Sequence, residues 1–220
     1  MIKRKFTLLT IVWLFAGLFA ATAQPTEFSG QAPVPGAVNS LRTGPVLYDQ
    51  MSNPSTGYIA STEFTDAANL DFTCQAADDF IVPAGETWNI GKIGVAGWIW
   101  YGHVGTYDSL NVYFYNDDNG MPGTLAHSFE DVTEFTVVYD TVNGSVSSYY
   151  EVGFDTPLTF TEGTYWLSFN VISDYDVDGQ WGWQQEANSP HLNNMFHWQN
   201  PGNGFGNGFT TWTPANIVLF

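Results

Sequence analysis

Apolar and polar residues alternate along most of the chain, in short runs that end at turn-forming residues. A period of two, rich in aromatic and β-branched side chains, is typical of β-strands, and no sustained helical period follows the first 23 residues. The strands predicted in this way are Ile93–Tyr101, Leu110–Tyr115, Phe135–Tyr139, Tyr149–Phe154 and Tyr165–Val171. The turns predicted between them include Asn116–Gly123, Asn143-Gly144, Asp155–Pro157 and Glu162-Gly163. So many short strands predict an all-β fold over residues 44–220, a jelly-roll-like β-sandwich of two antiparallel sheets.

The two ends of the chain indicate an exported protein. Met1–Ala23 has a basic start, an apolar run and small closing residues, which together predict a signal peptide. Residues 24–43 are rich in proline and glycine without an apolar period, so a linker or leader is expected there. Ala215–Phe220 begins a strand that no turn or polar tail follows, which indicates a domain truncated at its C-terminal end. We therefore expect a secreted or cell-surface protein that is not inserted in a membrane after signal cleavage.

The charge of the exported chain excludes two classes of partner. After residue 23 the sequence holds two cations, Arg42 and Lys92, against 22 acidic residues, so its formal charge is −20. Phosphate backbones and anionic lipids need clustered cations, so neither nucleic acid nor an anionic membrane surface is expected to bind. The single cysteine, Cys74, cannot form an internal disulfide and is expected to be a buried, unreactive thiol.

Several short motifs are spread from Pro45 to the end of the chain. They are Ala76–Phe80 with Pro83, Gly85 and Trp88; Phe114-Tyr115 with Asn119–Gly123; Gly163–Trp166; Gly179–Trp183; and Trp198–Gly202. Together they resemble a jelly-roll-like β-sandwich module of secreted, multidomain bacterial surface proteins. The resemblance implies an accessory module, often beside proteases, adhesive repeats or C-terminal sorting tags, and it implies no catalytic residues.

One acidic loop has the spacing of a calcium site. Asp174, Asp176 and Asp178 occupy alternate positions ahead of Gly179, whose freedom allows the sharp turn that brings alternate oxygens onto one ion. The acidic residue that should close a helix–loop–helix site comes one position late, at Glu186. A structural calcium ion held by the three aspartates is one interpretation, and a solvated acidic hairpin is the other.

Two further groups of polar residues are weaker candidates. Asn116 and Asp118 could form a second cation site, although turns favour the same residue types. Asp78 and Asp79 precede the strand residue Phe80, and we expect one of them to face inward and hydrogen-bond a neighbouring loop.

Tryptophans supply the candidate ligand-binding residues. Flat rings stack on sugar faces, and nearby amides and carboxylates can hydrogen-bond hydroxyl groups. The candidates are Trp98, Trp100, Trp181, Trp183 and Trp198, with Tyr101 beside them. Alternate tryptophans on a strand also fill sandwich cores, so both interpretations stay open.

No sequence motif for catalysis is present. The four histidines are scattered without metalloprotease spacing, and there is no Gly-x-Ser-x-Gly turn for a nucleophilic serine. A glycoside hydrolase needs only two carboxylates, which must face each other across a groove. The main hypothesis is a non-catalytic secreted surface or accessory module that calcium stabilises and that contacts glycans or other surface proteins. The alternatives are a carbohydrate-binding module and, ranked last, a glycoside hydrolase or lyase.

Overall fold

The computed structural model describes residues 27–29, 45–100, 107–142, 145–187 and 193–218. The predicted signal peptide, Tyr101 and the predicted turn at Asn143-Gly144 lie outside the described residues. Within the predicted linker, Glu27–Ser29 forms a short strand, and the rest of that segment also lies outside them.

Eleven β-strands within the described residues join in one sheet, which confirms the all-β prediction. They are β1 (Glu27–Ser29), β2 (Pro54–Ala60), β3 (Thr62–Phe64), β4 (Gln75–Ile99), β5 (Leu110–Asp117), β6 (Pro122–Val132), β7 (Thr136–Val142), β8 (Ser145–Ser173), β9 (Trp181–Glu186), β10 (His197–Gln199) and β11 (Thr213–Pro214). The main path through the sheet is β1-β2-β9-β4-β8-β5-β6, and its neighbours are antiparallel. β3 pairs with β8 in parallel. A division into two packed sheets stays a prediction.

β4 and β8 are far longer than ordinary strands, which usually have about 3–10 residues. They span 25 and 29 residues and pair with each other along most of their length. The predicted turns at Asp155–Pro157 and Glu162-Gly163 are therefore wrong, because both lie inside β8. The register between β4 and β8 shifts beside each of them. The turn-forming residues thus occupy bulges, where Pro157 needs no ladder partner for its missing N–H.

β4 contributes to two hydrophobic clusters, because successive side chains of a strand point to opposite faces. The first, here the Trp181 cluster, includes the buried side chains of Val95, Ile99, Tyr150, Phe169 and Trp181. The second, the Trp198 cluster, includes those of Tyr58, Cys74, Trp98, Trp100 and Trp198. Cys74 is buried as predicted, and desolvation raises the pKa of its thiol to about 12. This part of the sheet is therefore covered by apolar side chains on both faces.

Helical structure among the described residues is limited to single turns. They are α1 (Tyr175–Asp178), α2 (Ala215–Val218) and a 3₁₀ turn over Leu70–Phe72. The strand predicted to begin at Ala215 is thus wrong: Ala215 and Val218, three positions apart, share a helical face and are both buried. No helix in the described ranges is long and apolar enough to cross a membrane.

Candidate functional site

Four of the five candidate tryptophans are core residues. Trp98 and Trp100 are 5% and 3% exposed, and Trp181 and Trp198 are 0% exposed. Since no face of these rings is open to a ligand, their burial reduces the predicted platform to one residue. That residue is Trp183, which is half-buried and lines a cleft.

The predicted calcium loop is largely taken up by α1. Asp174 caps this turn, because its Oδ1 accepts a hydrogen bond from the backbone N–H of Asp176 at 3.1 Å. Gly179 ends it with a φ of 76°. No three acidic, histidine or cysteine side chains in the described parts of the chain are placed to hold a metal ion. Calcium binding by Asp174, Asp176 and Asp178 therefore stays a prediction.

The weaker cation candidates form a hydrogen-bonded turn. The Asn116 side-chain amide donates to Oγ1 of Thr124 at 3.0 Å. Oδ1 of Asp118 accepts from the side-chain amide of Asn119 at 2.8 Å. These contacts give Asn116 and Asp118 a structural role in the connection between β5 and β6.

A cleft of about 870 Å³ opens where β4 and β9 separate. The ladder between these strands ends at the pair Gly97 and Trp183. Beyond Trp183, β9 pairs with β2 alone, so the space beside β4 is left to side chains and to two loop segments, 45–51 and 193–196. We call this space the cleft. Typical small-molecule sites occupy about 300–1,000 Å³, so its size suits a ligand.

The cleft combines aromatic rings with amide side chains. Its rings include Tyr48, Phe80, Trp88 and Trp183, and its amides include Asn89, Gln184, Gln185, Asn193 and Asn194. Its loop segments also expose apolar side chains to solvent, since Val46, Leu47 and Met195 are 55%, 48% and 50% exposed. An apolar surface with a few convergent polar groups is typical of ligand-binding sites.

Three of the acidic residues that line the cleft are Asp78 and Asp79 from β4, and Glu186 from the end of β9. Asp79 faces inward, as expected for one of the two aspartates, and its Oδ2 accepts from the side-chain amide of Asn194 at 2.6 Å. Oε1 of Glu186 accepts from the backbone N–H of Asn53 at 3.0 Å. The remaining oxygens, Oδ1 of Asp79 and Oε2 of Glu186, are buried and accept no hydrogen bond from the described residues.

The surroundings of the two aspartates, Asp78 and Asp79, raise their pKa values. Desolvation raises the pKa of Asp78 to about 7, and the neighbouring charges of Asp79 and Glu186 act in the same direction. Burial also raises the pKa of Asp79, although the hydrogen bonds from Asn194 oppose this. At neutral pH the cleft therefore holds a carboxyl group, Asp78, that is close to half protonated.

Asp78→Asn is expected to change how stability depends on pH. Because folding raises the pKa of Asp78 from 3.8 to about 7, the folded state binds more protons than the unfolded state between these values. The free energy of unfolding should then fall as pH rises from about 4 to about 7. Such a pKa difference would change the free energy of unfolding by at most about 4 kcal/mol. Solvent screening in the open cleft reduces this change to the order of 1–2 kcal/mol. Denaturant unfolding should find the variant more stable than the parent at pH 8 and no more stable at pH 4.

The control for this prediction is Glu134→Gln, which removes an exposed carboxylate on the connection between β6 and β7. Any gain from lowering the overall negative charge should appear in both variants at pH 8. An equal gain in the two variants would show that Asp78 has no special role.

Most residues of the cleft were not found from the sequence. Trp183 was identified as a candidate, and one of Asp78 and Asp79 was expected to face inward. Glu186 entered only as a misplaced calcium ligand, and Tyr48 and Asn194 were not identified at all. Tyr48 lies in a segment whose sequence has no regular period. In the structure its hydroxyl accepts a hydrogen bond from the Asn193 side-chain amide at 2.6 Å. No local signal joins positions so far apart in the chain.

Comparisons of the chain with protein-family models, with curated proteins and with solved structures find no match. The resemblance to a bacterial surface module therefore stays a prediction, and support for a function comes from the cleft.

Proposed function

We propose that the chain is a non-catalytic, secreted module that binds a short saccharide in the cleft. The observation that carries this proposal is the half-buried Trp183 beside the amides and carboxylates of a cleft of about 870 Å³. An indole face packs against the C–H groups of a sugar ring, and amide and carboxylate groups hydrogen-bond its hydroxyls. Secretion rests on the signal peptide predicted at Met1–Ala23, and an accessory role in a surface protein rests on the resemblance of its motifs. Stabilisation by calcium at Asp174–Asp178 is a separate part of the hypothesis.

The exposed apolar side chains favour the interpretation of the cleft as a ligand-binding site over that of an unused space between strands. Val46 and Leu47 lie on one loop segment and Met195 lies on the other. Each leaves about half of its surface in water, although apolar area in contact with water costs free energy, about 25 cal/mol per Å². A bound saccharide would cover part of this surface with its own C–H groups.

Trp183→Ala is expected to abolish or strongly weaken saccharide binding. A glycan array should first identify a ligand for the chain from Gln24 to Phe220, and isothermal titration should then measure its affinity. Loss of the stacking ring should weaken binding at least about tenfold, because a central aromatic anchor contributes well over 1 kcal/mol. The melting temperature should fall by only a few degrees, since the ring is partly exposed.

The matched control is Trp212→Ala. Trp212 is also half-buried, but it packs against Tyr115 with ring centroids 5.6 Å apart and does not line the cleft. This variant should keep the parent affinity. An array without ligands, or equal affinities in the two variants, would refute the proposal.

A glycoside hydrolase is the second candidate, and one observation favours it. Asp78 and Glu186 line the same cleft, and their proximity contributes to the raised pKa of Asp78. Hydrolysis of a glycosidic bond needs a protonated carboxyl as acid and a second carboxylate as base or nucleophile. Analysis of the saccharide after the titration distinguishes the two functions. A hydrolase shortens the saccharide and releases reducing ends, whereas a binding module leaves it intact.

A further inference from the structure

Two buried carboxylate oxygens in the cleft lack a donor. Asp79 is 1% exposed, and its Oδ1 accepts no hydrogen bond from the described residues, as is also true of Oε2 of Glu186. Buried polar atoms are nearly always paired, because an unmade hydrogen bond leaves the cost of desolvation uncompensated. Both residues line the cleft, so a ligand that displaces a neighbouring side chain of its wall can supply the missing donors.

Acidic residues also outnumber basic ones in the lining of the cleft. Five carboxylates line it, those of Asp49, Asp78, Asp79, Glu151 and Glu186. Lys92 is the one lysine or arginine among the described residues, and its Nζ lies 2.8 Å from Oε1 of Glu151. No described cation therefore forms an ion pair with Asp78, Asp79 or Glu186. A ligand that enters here is favoured if it brings positive charge with its donors.

A metal ion is not the cation that this arrangement fits. No three acidic, histidine or cysteine side chains of the described residues are placed to hold one. An ammonium group makes a weaker demand, because one carboxylate can accept one of its three hydrogen bonds while neutral oxygens accept the others. The rings of Tyr48 and Trp183, which are only partly buried, can also attract a cation through their faces.

We propose that the cleft selects amino sugars with a free primary ammonium group, which the carboxylates that line the cleft attract, Asp79 and Glu186 among them, while Trp183 packs against the sugar ring. This inference rests on the proposed saccharide binding and adds the chemical class of the ligand. A neutral hydroxyl at the same position brings one donor and no charge. An N-acetyl group brings one amide donor and a methyl group that would face the carboxylates.

The test is a set of calorimetric titrations of the chain from Gln24 to Phe220 at pH 6.5, where the amines of the glucosamine trimer are mostly protonated. The ligands are a glucosamine trimer, an N-acetylglucosamine trimer, a glucose trimer and spermidine, which has amines and no sugar ring. The glucosamine trimer should bind at least about tenfold more tightly than the other three, because hydrogen bonds between charged groups are worth about 1.5–3 kcal/mol. Asp79→Asn and Glu186→Gln should each remove most of this preference, and so should added salt.

Several outcomes would overturn the inference. The highly acidic chain attracts cations everywhere, so Glu134→Gln serves as the control and should retain the full preference. An equal loss in this control would show non-specific attraction. Spermidine that binds as tightly as the trimer, with no effect of Trp183→Ala, would show that no sugar is recognised. If the neutral trimers bind as tightly as glucosamine and Trp183→Ala weakens them all, saccharide binding stands and the selection of amines fails; if no trimer binds, both fail.

Discussion

Replacing Trp181 by alanine is expected to lower the free energy of unfolding by about 4 kcal/mol, the usual cost of removing a buried tryptophan side chain. Trp181 has no exposed surface, and its ring lies in the Trp181 cluster with centroids 5.2 Å from Phe169 and 6.1 Å from Tyr150. Its indole N–H donates to Oγ of Ser148 at 2.9 Å, so the change also leaves a buried hydroxyl without this donor. Thermal melting should show a midpoint lowered by roughly 10 °C or more.

The control lies two residues away on the same strand. Trp183→Ala removes an identical ring that is only half-buried, so it should cost much less stability while affecting binding in the cleft. Equal losses of stability in the two variants would mean that Trp183 is a core residue, and the saccharide proposal would lose its central contact.

This pair shows what the sequence could and could not predict. Alternation along Trp181–Trp183 predicted a strand with both rings on one face, and the strand is present as β9. How deeply each ring is buried depends on which strand covers it, and the ladder with β4 ends at Trp183. That end point is set by tertiary structure and leaves no mark in the local pattern, so the core and the cleft could not be distinguished.

The turn predicted within Asn116–Gly123 is present between β5 and β6, but two of the other predicted turns are wrong for a related reason. Proline, glycine and aspartate favour any departure from a regular strand, and a bulge inside a strand is such a departure as much as a turn between strands. Asp155–Pro157 and Glu162-Gly163 stand where the register of β8 shifts against β4. The residue types therefore correctly predicted an irregular backbone at these positions. They did not show that β8 continues beyond each irregularity.

The acidic site was partly accessible from the sequence. Asp78 and Asp79 precede Phe80 at the edge of a predicted strand, which led to the expectation that one of them faces inward. Glu186, which lines the same cleft, lies more than a hundred residues further along the sequence. The two aspartates could be identified from the sequence. Glu186 could not, because its position depends on the pairing of β9 with β2 beyond the point where β9 separates from β4, and the same separation opens the cleft.

At two glycines, the backbone of one strand lies in close contact with a tryptophan ring of a neighbouring segment. Gly97 of β4 lies against Trp181, and a Cβ at this position would overlap Cζ2, Cε2 and Nε1 of the indole ring. Gly182 has the same relation to the ring of Trp100. Both rings are buried, so neither has an open direction in which to move. The two glycines thus let large rings lie directly on the backbone of a neighbouring strand.

Gly97→Ala is therefore expected to lower the free energy of unfolding by about 3 kcal/mol, at the upper end of the cost of overpacking a core. The control is Gly153→Ala on β8, where a Cβ would meet no atom within 4 Å and the change should be close to neutral. Denaturant unfolding of Gly97→Ala, of Trp181→Ala and of the variant that carries both changes tests whether overlap with the indole ring causes the loss. If the overlap with the indole ring is the reason, Gly97→Ala should cost almost nothing once Trp181 is already alanine, because the space that the new methyl group needs is then empty. A full 3 kcal/mol loss in the Trp181→Ala background would place the cost in the backbone of β4 and refute the packing explanation.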